Sequence, residues 1–173
     1  CNAQVRQVTK SSTQSGCSNV RPSLGMGKNP GTVRKRRARL FVKRSSGPKT
    51  TEEDSFAIMD RAHELGINFF DTANSYSKGR SEEILGNFLA EINREEAVVA
   101  TKVYNPMGNG VNQRGLTRKH LLWQIKQSLN RLKTDYIDVY QIHRWDYDTP
   151  IDETLCTMTN LLTENKIHYI GAS

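Results

Sequence analysis

Four apolar runs, at residues 67–71, 97–103, 136–142 and 167–170, constrain this chain more than any other feature. Each is short, apolar on both faces and followed by a polar residue, the pattern of strands in a parallel sheet covered by helices. Their ends, at Asp71, Lys102, His143 and Ser173, are 31, 41 and 30 residues apart. Strand–helix units of about 30 residues are the grammar of a (β/α)8 TIM barrel, although a doubly wound open sheet shares it locally. Closing a barrel takes eight strands and only four are clear. The expected fold class is α/β, read as a partial (β/α)8 barrel of four to five units with the open sheet as the other parallel architecture. In either parallel architecture, the carboxyl ends of the strands form the functional rim.

The segments between these runs read as helices. Thr51 followed by Glu52, Glu53 and Asp54 places a capping hydroxyl and three carboxylates at a helix start. The stripe through Phe56, Met59 and Ala62 then runs to a stop at Gly66. Ser81 with Glu82 and Glu83 starts a second helix, with Ile84, Leu85, Phe88 and Leu89 inward. Thr117 caps a third, in which Leu121, Leu122, Ile125, Leu129 and Leu132 recur every three or four residues. A fourth begins at Thr149-Pro150, with Leu155, Met158, Leu161 and Leu162 inward and Cys156 as a small buried thiol. Residues 104–116, rich in Gly, Asn and Pro, form a loop long enough to be functional.

The net charge of +7 conceals two compositions. Residues 1–50 contain 12 Lys or Arg and no acid, whereas residues 51–173 contain 13 basic and 18 acidic side chains. Residues 1–50 therefore form a basic segment, expected to be mostly disordered by itself, ahead of a domain at 51–173. The leader resembles a transit peptide in composition, could contact phosphates, or could be a solvated or aberrant extension; nucleic acid is not the expected partner of the domain. Cys1, Cys17 and Cys156 form neither a close-spaced metal pattern nor an even disulfide set, which points to a reducing cytoplasm. No apolar run is long enough to span a membrane.

The rim carries Asp71, Tyr76 just beyond it, Lys102, His143 and Ser173. Singly, each has an ordinary role: an Asp as a turn residue, a Lys reaching solvent, a His satisfied in place, a Tyr on the surface. At corresponding places in successive units they make a set suited to reversible carbonyl reduction. Hydride arriving at carbon leaves charge on oxygen, which must be protonated. A free tyrosine, with a pKa of about 10, is a poor proton donor at neutral pH. A neighbouring ammonium held by a carboxylate favours its ionised form, and a histidine can orient the oxygen. No side chain supplies hydride, so a nicotinamide cofactor is required.

From Thr51 to Ser173 the chain resembles the amino-terminal half of an aldo-keto reductase. The likeness lies in Gly-Ile-Asn-Phe-Phe-Asp-Thr-Ala, in Tyr76-Ser-Lys-Gly-Arg-Ser-Glu-Glu-Ile-Leu-Gly, in Ala-Thr-Lys-Val and in Asp-Tyr-Ile-Asp-Val-Tyr-Gln-Ile-His. Gln141-Ile-His-Arg-Trp-Asp-Tyr and Tyr169-Ile-Gly-Ala-Ser are most similar to the bacterial aryl-alcohol dehydrogenase-like branch. The resemblance implies a barrel that binds NADPH and reduces a small carbonyl substrate. It makes Tyr76 the general acid, Lys102 and Asp71 its supporting pair, and His143 the carbonyl-orienting residue. It places Asp71 near the nicotinamide ribose and Ser173 at the carboxamide, with Arg144 and Trp145 at the mouth. Of the family's opening strand only Leu24-Gly-Met-Gly could remain, and the last strands and the 2′-phosphate grip are absent, so the chain reads as a truncated form. Open barrel edges invite self-association. The alternative from another class is a noncatalytic, cofactor-sensing barrel of the potassium-channel β-subunit kind, or an inactive fragment.

Overall fold

A computed structural model describes Arg39–Phe41 and residues 51–173 of the chain. Five parallel strands, β1 (Arg39–Phe41), β2 (Phe69–Asp71), β3 (Val98–Val103), β4 (Ile137–Ile142) and β5 (Ile167–Ala172), form one sheet in sequence order. A doubly wound sheet reverses its strand order at a switch point; this one does not, and sequential order is that of a (β/α)8 barrel. Helices α1 (Glu52–Glu64), α2 (Arg80–Leu89), α3 (Arg118–Leu132) and α4 (Ile151–Thr163) fill the crossovers.

Strand β1 was not legible in the sequence. Its three residues lie inside the basic run, where no apolar alternation marks a strand, and it is defined by pairing with β2, Phe41 opposite Asp71. The remaining expectations for residues 1–50, including the disordered leader, the Leu24-Gly-Met-Gly remnant, Cys1 and Cys17, lie outside the described residues.

Local signals set the helix ends. Thr51 accepts the Asp54 amide while Asp54 accepts the Thr51 amide, a closed capping box at the start of α1. Gly66 follows that helix at φ +80°, where a side chain would be strained. Thr117 caps α3, and Lys133 ends it in the left-handed region. Phe70, Leu85, Phe88, Val99, Leu121, Ile137, Tyr140 and Met158 belong to one core between sheet and helices.

Two expectations on α4 are corrected. Leu155 is 46% exposed and Cys156 is exposed. The buried side of the helix runs through Thr154, Thr157, Met158 and Leu161, and at 100° per residue positions 155 and 156 fall away from it. Threonines can take that side because their hydroxyls find acceptors there: Thr154 donates to the Leu116 carbonyl ahead of α3 (3.1 Å) and Thr157 to that of Glu153 within α4 (2.7 Å).

Helices α2 and α3 meet at Gly86. A Cβ there would lie 2.2 Å from the Arg131 carbonyl oxygen and 2.8 Å from Leu132 backbone atoms. Only helix displacement can relieve contacts with backbone, so Gly86→Ala is expected to destabilise the domain by about 1–3 kcal/mol. Urea denaturation reads this directly, and an unchanged midpoint would show that the two helices separate without cost.

Candidate active site

Asp71 ends β2 and is 1% exposed. Pairing with β3 continues past the strand: the Thr72 amide donates to the Ala100 carbonyl (2.8 Å) and the Asn74 amide to that of Lys102 (3.2 Å). This carries the chain along β3 before it turns through the short 3-10 segment Tyr76–Gly79. Ser77 (φ 49°), Lys78 (φ 56°) and Gly79 (φ 95°) are all left-handed, and this run redirects the chain from the tyrosine into α2. Two non-glycine residues in that region are strained, a feature that concentrates at functional sites.

Lys102 lies on β3 and is 3% exposed. Its ammonium pairs with the Asp71 carboxylate and donates to the Thr72 carbonyl at 2.9 Å. A buried lysine in such surroundings needs partners of this kind. Its Nζ lies over the Tyr76 ring, 5.3 Å from the centroid, within the range in which a cation is drawn to an aromatic face.

His143 follows β4, its amide donating to the Val103 carbonyl at 3.0 Å. Its ring meets that of Tyr76 edge-on, with centroids 5.8 Å apart and planes at 81°. Both side chains are half-buried, so the deep ion pair lies beneath a phenol and an imidazole at an accessible rim. Asp71, Lys102, Tyr76 and His143 are thus brought together from three successive strand ends. Ser173 follows β5, exposed, with its amide on the Ile142 carbonyl (3.0 Å), one rim position further round. Arg144 and Trp145 are exposed just past His143.

Asn105 and Ser75 also belong to this site, and sequence reasoning passed over them. The Asn105 amide nitrogen lies 3.1 Å from Ser75 Oγ and 3.2 Å from His143 Nδ1. In a loop rich in Asn and Gly, one more asparagine carries no signal; only its place three residues after Lys102 sets it at the rim.

Beside the site, a cleft of about 430 Å³ opens between the 104–116 loop and the loop after β4, lined by Tyr104, Arg114, Asp146 and Thr149 among others. Asp146 holds its wall together. Its carboxylate accepts the Leu116 amide (2.7 Å), the Thr149 hydroxyl (2.8 Å) and the Asp148 amide (3.1 Å). Burial alone would raise this carboxyl, but those hydrogen bonds outweigh it and hold its pKa below the ordinary value. A depressed folded-state pKa gives stability that is fully present above the unfolded value and lost as pH falls through the folded one. The thermal-stability gap between the wild type and Asp146→Asn is therefore expected to narrow on acidification below about pH 4. A gap independent of pH would show that the carboxylate's charge is not what stabilises the loop.

Among the described residues, no helix is long and apolar enough to cross a membrane, and no cluster of His, Cys, Asp or Glu could hold a metal ion. Residues 42–173 match the aldo/keto reductase family. The chain is 39% identical over 147 residues to the aldo-keto reductase AFTS1 of Alternaria alternata, covering 70% of this chain and 40% of that protein. It is 38% identical over 129 residues to a probable voltage-gated potassium channel subunit beta of Arabidopsis thaliana, covering 73% and 39%. Among solved structures, the holo form of aldo-keto reductase AKR11C1 from Bacillus halodurans superposes with a TM-score of 0.66 at 39% identity, over 72% of this chain and 42% of that one. The chain thus spans about two fifths of the length of the curated relatives it matches. With sequential parallel strands in barrel order and a family match across most of its length, this chain belongs to the aldo/keto reductase family.

Proposed function

We propose that the protein reduces aldehydes or ketones reversibly, with NADPH as hydride donor and Tyr76 as general acid. The observation that carries this reading is the buried Lys102–Asp71 pair beneath the Tyr76 ring, with His143 edge-on to the same ring. As negative charge builds on the substrate oxygen, the Tyr76 hydroxyl gives up its proton to it. The Lys102 ammonium, fixed by Asp71 and the Thr72 carbonyl, stabilises the charge left on the phenol oxygen. His143 orients the substrate oxygen by hydrogen bonding.

This donor set fits a nicotinamide-dependent reaction: proton donors converge at one accessible rim, and none of the side chains there is a reductant. The reduced nicotinamide supplies the hydride when bound. We assign Asp71 to its ribose and Ser173 to its carboxamide, in a protein of the cytoplasm. We assign Arg144 and Trp145, exposed just past His143, to the cofactor or substrate mouth.

The test is loss of reduced-nicotinamide absorbance with aromatic and aliphatic aldehydes, comparing NADPH with NADH. Turnover that prefers NADPH supports the reading, and equal turnover with NADH would remove its cofactor assignment. The likeness to a potassium-channel β-subunit favours one other reading, a cofactor-sensing barrel. That reading predicts cofactor binding without turnover of any carbonyl substrate.

A further inference from the structure

We infer that Asn105 is a positioning residue for His143, its side-chain amide fixing the imidazole tautomer in which Nε2 carries the hydrogen. The value of that tautomer for catalysis rests on the reductase reading above, whereas the tautomer itself does not.

An amide nitrogen has two hydrogens and no lone pair to offer. The Asn105 amide nitrogen is placed to donate one hydrogen to Ser75 Oγ at 3.1 Å and the other to His143 Nδ1 at 3.2 Å. Nδ1 must then accept, and a neutral imidazole that accepts at Nδ1 bears its hydrogen at Nε2. A neutral histidine that is to orient a carbonyl oxygen must donate, and with Nδ1 occupied only Nε2–H can do so.

The same amide ties three loops together. Ser75 precedes Tyr76 after β2, Asn105 follows β3, and His143 follows β4. The His143 backbone is already held by the Val103 carbonyl, and its ring is set against Tyr76. A hydrogen bond at Nδ1 restrains rotation of the ring about its own bonds. Among the described residues, Tyr76 meets the imidazole directly, and the Lys102–Asp71 pair lies against that tyrosine. The opposite amide orientation would set an oxygen against Nδ1 and require a hydrogen there, which gives the test its contrary outcome.

The experiment is nitrogen-15 NMR of the histidine side chains in the full 173-residue chain at about pH 8, where an ordinary imidazole is neutral. His143 is assigned by its loss in His143→Gln. The wild type is expected to show an unprotonated Nδ1 and a protonated Nε2. In Asn105→Asp the carboxylate can only accept, so the hydrogen is expected to move to Nδ1 and the titration midpoint of His143 to rise by about one to three pH units. A wild-type signal with the hydrogen on Nδ1 would overturn the inference, and it needs no variant to fold. So would an unchanged tautomer in an Asn105→Asp protein of native circular dichroism.

In the protein that turns over, Asn105→Asp is expected to lower kcat about 10–100-fold with cofactor KM unchanged, the scale found for hydrogen-bond partners of metal-binding histidines. An unprotonated Nδ1 in a protein without reductase activity would sink the functional reading alone. Activity together with a protonated Nδ1 would sink the assignment of Asn105 alone.

Discussion

Tyr76→Phe is expected to lower kcat for carbonyl reduction by about 10²–10⁴-fold, the range general acid catalysis contributes, while leaving cofactor affinity nearly unchanged. The substitution removes one oxygen and keeps the ring. The ring's contacts, edge-on to His143 and face-on to the Lys102 ammonium, therefore survive. The buried Lys102–Asp71 pair also survives, since its hydrogen bonds run to Asp71 and the Thr72 carbonyl rather than depending on the phenol. What disappears is the proton that must reach the substrate oxygen as charge develops there. Steady-state kinetics and a fluorescence titration of NADPH, made on the protein that turns over, separate the two effects. A variant retaining wild-type turnover would move the acid to His143, the other proton donor against that ring. Loss of cofactor binding in parallel with turnover would instead mean that the hydroxyl supports the loop.

The parts of this site legible in the sequence are those tied to strand ends. Asp71, Lys102 and His143 each close an apolar run, and a strand's direction fixes which rim its last residue reaches. Tyr76 was reachable by proximity, five residues beyond Asp71. Asn105 was not, because its role depends on a loop conformation that its Gly- and Asn-rich neighbours do not encode. Strand β1 was hidden for a related reason: three residues amid basic side chains become a strand only by pairing with β2. Glu82 starts α2 as its sequence suggests, but its burial carries no sequence signal. As an acid in the first turn of a helix it looks like a solvated partner of the dipole, yet it is fully buried.

That burial leads to the largest expected effect on stability. Glu82→Ala is expected to destabilise the domain by about 3–5 kcal/mol, the cost of breaking a buried ion pair by removing one partner. The carboxylate accepts the Thr101 hydroxyl at 2.6 Å on one oxygen and the Arg131 guanidinium at 2.7 Å on the other, joining α2, β3 and α3. The Tyr140 hydroxyl lies buried nearby, its pKa pushed well above the ordinary value by burial first and by the Glu82 charge second, with Arg131 opposing. Truncation would leave a largely buried guanidinium and a buried threonine hydroxyl without their principal acceptor.

Glu82→Gln keeps an acceptor but not the charge, and is expected to cost less. Replacing Glu82 and Arg131 together by leucine should recover part of the loss, since an apolar pair of similar volume often matches a buried ionic one. Urea midpoints of the four proteins complete the comparison, and a single-alanine loss below about 1 kcal/mol, the level of an exposed pair, would refute the buried-pair account. The network also bears on the site. Thr101 and Lys102 are adjacent on β3 and face opposite sides of the sheet, so Glu82 grips the strand from the helix layer one residue from the ammonium. Gly79 leaves room for the Arg131 side chain, since a Cβ there would lie 2.8 Å from Arg131 Cδ. The left-handed turn that carries Tyr76 into α2 therefore rests on the same ion pair that holds β3 in place, and loosening Glu82 should blur the distance between phenol and ammonium before it unfolds the sheet.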